Sequence, residues 1–195
     1  MGQTSFLQIL ARKPQIIVIL EGRNDAKTLE PFWKYLQLQD SLLVGRSEGG
    51  GYQSIIDKAV QLRESLKSFR LPTEVFVVLD GDSQRNHKKD YLDVKGFPNH
   101  KSHVWEQKEL ESYLVIPPAL RKLSCKPSNE VDSVIAEAAG SGKERLTSIL
   151  TKLSIPDAHT SLILTSVIHD YPALIPSDLK NLGNKLRAML NMSSL

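Results

Sequence analysis

The sequence predicts an α/β protein: a doubly wound, mainly parallel sheet flanked by helices, with a C-terminal helical extension. Three observations carry this. Two apolar runs without a charge, Ile16-Ile17-Val18-Ile19-Leu20 and Val75-Phe76-Val77-Val78-Leu79, have the pattern of strands buried on both faces, the habit of parallel sheets covered by helices on either side. Strand-like and helix-like segments alternate between them. From Pro117 to Leu195 the pattern is helical.

Taken in order, the first strand spans residues 15–20. A helix over 25–38 follows, with Ala26, Leu29, Phe32, Trp33 and Leu36 at helical spacing. Pro31 falls inside it, so a late start or a kink is expected. Leu42-Leu43-Val44 is a short second strand, and Gly49-Gly50-Gly51 gives either a tight turn or a close approach of backbone to another group. The helix over 52–69 carries an apolar stripe of Ile55, Ile56, Ala59, Val60, Leu62 and Leu66. Pro72 ends it, and the third strand runs over 74–79. Residues 85–101 read as a basic loop, and Ser102-His103-Val104-Trp105 as a fourth strand. Helices are expected near 128–139, 143–153, 158–168 and 177–191, with Pro156, Pro172 and Pro176 separating the later ones. The chain divides on this reading into an α/β unit, 1–116, and a helical extension, 117–195.

Composition sets the class. With 41% hydrophobic and 24% charged residues in 195, the chain is that of a soluble globular protein. No apolar run is long enough to span a bilayer and no signal-peptide pattern opens the sequence, so a cytosolic protein without membrane contact is expected. A single cysteine, Cys125, excludes an internal disulfide and a cysteine-based zinc cage. The net charge of +3 is mild, but segment 85–101 concentrates Arg85, His87, Lys88, Lys89, Lys95, His100 and Lys101 against Asp90 and Asp93. Arg85, Lys88, Lys89 and Lys101 are therefore candidates for holding a polyanion. Gly140-Ser141-Gly142-Lys143 lacks the glycine and the hydroxyl residue that a phosphate-binding loop needs, since Glu137 and Glu144 stand there. It reads as a turn between helices.

Both charge-free strands lead straight into acids: Glu21 and Asp25 after the first, Asp80 and Asp82 after the third. They lie where open α/β sheets bind ligands, at the carboxyl ends of the strands. An acid after a strand is often a turn former or helix cap, a role open to Asn24 and Asp25. Four carboxylates on one rim, however, repel one another unless a cation joins them, and hard oxygen donors suit Mg²⁺ or Mn²⁺. A third acidic cluster, Glu109 and Glu111, follows the fourth strand.

These residues carry a resemblance. Glu21-Gly22-Arg23-Asn24-Asp25 and Asp80-Gly81-Asp82 resemble the two signature motifs of the Toprim domain. Lys108-Glu109-Leu110-Glu111-Ser112-Tyr113-Leu114 is similar to a stretch of the OLD (overcoming lysogenisation defect) class of Toprim nucleases found in phage-defence systems. The resemblance covers about residues 14–116. It implies a metal-dependent endonuclease cutting DNA, or RNA in the alternative, by a two-metal scheme. Glu21, Asp25, Asp80, Asp82 and Glu109 or Glu111 would be ligands, and Glu21, Asp80 and Asp82 catalytic. It further implies a basic residue from the helical part, for which Lys143, Lys180 and Lys185 are candidates. OLD proteins carry an ABC-type ATPase before the Toprim part, so a separate ATPase partner is expected here. The stripe Leu179, Leu182, Leu186, Met189 and Leu190 either packs on the sheet or docks on that partner or a second copy of the chain. A ribosomal-RNA-maturing Toprim enzyme and a non-catalytic Toprim interaction module are the competing readings.

Overall fold

The computed structural model describes residues 11, 13–22, 24–46, 50–156 and 160–193. Four strands, β1 (Ile16–Leu20), β2 (Leu42–Arg46), β3 (Glu74–Leu79) and β4 (Ser102–Val104), form one sheet in the order β2-β1-β3-β4. Every pairing is parallel, with Leu20 opposite both Arg46 and Val78, and Val104 opposite Leu79. Helices α1 (Asp25–Tyr35), α2 (Tyr52–Ser68) and α3 (Arg85–Val94) connect successive strands. The remaining helices are α4 (Pro117–Ser124), α5 (Ser128–Glu137), α6 (Gly142–Lys152), α7 (Thr160–Asp170) and α8 (Ser177–Met189). No helix among the described residues is long and apolar enough to cross a membrane.

Alternation along each strand sends side chains to both faces, and both are covered. Ile16, Val18, Leu20, Phe76 and Val78 share one cluster with Leu29, Phe32 and Trp33 of α1 and with apolar residues of α4 to α8. Ile17, Ile19, Val75, Val77 and Leu79 pack on the other side with Ile55, Ile56, Ala59 and Leu66 of α2 and Leu92 of α3. The chain thus leaves β1 over one face and returns to β3 over the other. Right-handed crossovers require this when the strand order reverses, and it opens a crevice at the carboxyl ends of β1 and β3.

Two expectations change, and one open choice is decided. The basic loop over 85–101 is largely the helix α3, whose inner face is Lys88 and Leu92. Helix α1 starts at Asp25 and continues through Pro31 rather than starting late. The stripe of α8 is internal: Leu179, Leu182 and Leu186 are fully buried, with Met189 and Leu190 packed against the same core. Of the two roles open to it, this helix completes the hydrophobic face of the sheet. Gly49 lies outside the described residues, whereas Gly51 caps the start of α2.

Candidate active site

The crevice is built from backbone outward. The Glu21 N–H continues the sheet by donating to the Val78 carbonyl at 3.1 Å, and the Glu21 carboxylate crosses to accept the Asp80 N–H at 2.9 Å. Each first acid is followed by a glycine where space runs out. A Cβ on Gly22 would strike the Asp25 carboxylate, and one on Gly81 would strike the Trp105 and Gln107 carbonyl oxygens. Gly81 also donates to the Lys108 carbonyl at 2.9 Å, tying the turn after β3 to the segment that carries Glu109 and Glu111.

Asp25 opens α1, is buried, and has its acidity weakened: burial, then the charge of Glu111, and then those of Glu21 and Glu109 push its pKa to about 7, against a bond from Gly22. Capping is not its role, and Asn24, at the capping position, makes no side-chain cap bond. Asp80 is likewise pushed up to about 7, by burial and then by the charges of Glu21 and Asp25. Glu111 is raised as well, by burial and by Glu109, with Lys143 opposing. Five carboxylates, Glu21, Asp25, Asp80, Glu109 and Glu111, therefore feel one another across the rim. Glu109 is oriented by the Lys143 N–H at the start of α6, at 2.7 Å. Gly140 to Lys143 thus forms a turn and helix start, as its sequence implies.

Asp82 joins these acids through the ammonium it shares with Glu21. Its Oδ2 lies 3.0 Å from Lys88 Nζ and its Oδ1 accepts the Gln84 N–H at 2.9 Å. Lys88, 1% exposed, also reaches Glu21 Oε2 at 3.1 Å and the Asp80 carbonyl at 3.0 Å. Its expected contact with a polyanion is accordingly replaced by an internal one, because the inward face of α3 aims it at the acids. Lys101 is also reassigned: it pairs with Glu74 at 2.9 Å, at the amino ends of β3 and β4, away from the rim. Arg85 and Lys89 remain on a groove of α3. Among the three candidate lysines of the helical part, Lys143 stands beside the acids; with Asn24, Lys27, Glu111 and Thr147 it lines a cavity of about 440 Å³.

The donors fit a hard divalent cation by their chemistry: all are oxygen, most are partly buried, and each raises its neighbours' affinity for positive charge. They do not form a closed cage as they stand, for among the described residues no three are grouped tightly enough to hold an ion. One constellation was not legible in the sequence. Asp178, in the first turn of α8, accepts the Glu106 N–H at 2.8 Å and the Tyr113 hydroxyl, and lies 3.2 Å from His103 Nε2. No family model, curated protein or solved structure matches this chain.

Proposed function

We propose that the rim is the catalytic site of a divalent-metal-dependent nuclease that hydrolyses phosphodiester bonds of DNA. The observation that carries this reading is the convergence of Glu21, Asp25, Asp80, Glu109 and Glu111 at the switch point of the sheet, with Asp25 and Asp80 both pushed up to about 7 by burial and by their neighbours' charges. These side chains would hold Mg²⁺ or Mn²⁺, which when bound supplies an activated water and charge stabilisation for the leaving oxygen. Glu21, held between the Asp80 N–H and Lys88, would take or give a proton at the reacting water. Lys143, opposite Glu111, offers an ammonium to a phosphate entering the adjoining cavity. The resemblance to OLD-class nucleases supports a phage-defence setting, in which a separate ABC-type ATPase restrains or licenses the cut.

A second reading has one observation in its favour. Lys88 already supplies a cation to Glu21 and Asp82, as a non-catalytic module would need. Plasmid and RNA incubated with Mg²⁺, Mn²⁺ or EDTA separate the two. The nuclease reading requires cleavage with metal, none with EDTA, and loss of at least a hundredfold in Asp80→Asn, whose side chain keeps its size but not its charge. Cleavage that persists in EDTA would overturn it. Mn²⁺ binding no tighter in the native protein than in Asp80→Asn would favour the module.

A further inference from the structure

Beside the sheet lies a cavity of about 300 Å³ that the rim acids do not explain. Its walls are α3 and α8, and its floor is β4, the edge strand. Helix α3 presents Arg85 and Lys89, four residues apart and so on one face. Helix α8 presents Asn181 and Lys185 with the same spacing. Lys185 is held in place, its Nζ donating to Asn99 Oδ1 at 2.8 Å and to the Ser102 carbonyl at 2.9 Å. Burial lowers its pKa to about 8, with Lys89 adding to the effect and Asp178 opposing it.

None of the cations of this cavity pairs with a carboxylate among the described residues, unlike several lysines elsewhere on the surface. Lys34, Lys67, Lys101, Lys122 and Lys126 each pair with a carboxylate. Among the described residues, neither Arg85 nor Lys89 forms an ion pair, and Arg85 Nε is buried without a hydrogen bond. The three acids on the cavity do not neutralise them. Asp178 is engaged by Glu106, Tyr113 and His103, and Asp93 and Glu106 are exposed, where hydration serves them. A half-buried guanidinium sharing one cavity with two ammonium groups is a seat for an anion with several acceptor oxygens. Arg85 follows the turn after β3 closely, its N–H donating to the Asp82 carbonyl at 3.0 Å.

We propose that this groove binds a second backbone phosphate of the strand being cut, so that the nucleic acid leaves the acidic rim across the β4 edge between α3 and α8. The inference rests on the nuclease reading for its ligand and assigns Arg85, Lys89 and Lys185 as phosphate contacts.

The test is binding of a labelled single-stranded oligonucleotide in EDTA, where hydrolysis is silent, over a range of salt concentrations. Arg85→Gln, Lys89→Gln and Lys185→Gln should each weaken binding several-fold and lower the slope of log K against log salt by about one. Lys126→Gln, on a paired surface lysine, should do neither. Lys185→Arg should retain binding, because it keeps the charge. Should Lys185→Gln unfold, the other two variants carry the test, since their side chains hold no described residue in place. Affinity and slope unchanged in Arg85→Gln and Lys89→Gln would remove the groove alone. Binding that follows the expected pattern without any cleavage in Mg²⁺ or Mn²⁺ would keep the groove and remove the hydrolytic reading. A native protein that binds no oligonucleotide at any salt concentration would overturn both.

Discussion

Two neighbouring carboxyls with pKa values near 7 leave a signature in stability. Asp25 and Asp80 ionise at 3.8 in an unfolded chain and near 7 in the folded one, so folding favours their protonated forms. That contribution is complete below about pH 4 and lost as pH rises through about 7. The metal-free protein should therefore melt at a lower temperature at pH 8 than at pH 5, and Asp25→Asn should flatten the difference. Added Mg²⁺ should raise the midpoint more at pH 8, because ligands bind the ion deprotonated and binding stabilises the folded state. A midpoint that climbs from pH 5 to pH 8 without metal would contradict this account. Lys88 works in the opposite sense. Its removal in Lys88→Ala leaves Glu21 and Asp82 without their cation and should cost about 1–3 kcal/mol in chemical denaturation, the lower part of the range for buried pairs because both acids are partly exposed.

Among the elements, α8 shows how the C-terminal helices are fastened. Burial would raise the pKa of Asp178, but nearby His103 and bonds from Tyr113 and the Glu106 N–H hold it at about 2. The charge also suits the N-terminus of its helix. Asp178→Ala should cost about 1–3 kcal/mol, read from urea denaturation, since it strands the Glu106 N–H and the Tyr113 hydroxyl, both part-buried. A loss under 0.5 kcal/mol would show the cluster to be incidental. Legibility divides along the same line. The uninterrupted apolar strands and the glycine-flanked acids were readable because burial on two faces and a bend at a rim each leave a local pattern. The Asp178 cluster was not, because Asp178 lies 72 residues from Glu106 and further still from His103, and they meet only once α8 has docked. Helix α3 was hidden for a different reason. Its inward face consists of Lys88 and Leu92, and a buried lysine has the same letter as a solvated one.

For the whole molecule, the decisive point is that α4 to α8 share a hydrophobic cluster with one face of the sheet. The boundary at 116 and 117 suits the distribution of motifs, yet residues on both sides of it complete the same core. Unfolding should be a single calorimetric transition, with Leu182→Ala lowering it as a unit by about 2–5 kcal/mol, as for other fully buried leucines. Two resolved transitions would show that the helical part folds by itself. The same packing withdraws the α8 stripe as a docking surface, so a partner ATPase would have to recognise another face of the molecule.

Lys88 and Lys89 are adjacent in the chain but opposite in circumstance: the first is 1% exposed and locked to acids, whereas the second opens on a groove. Acylating reagents consume only amines they can reach in the uncharged form. Brief treatment of the folded protein with acetic anhydride, followed by peptide mass mapping, should label Lys89 and spare Lys88, and the contrast should vanish in denaturant. The pair thus carries an internal clock for opening of the rim, because Lys88 can acquire label only during excursions that break its hold on Glu21.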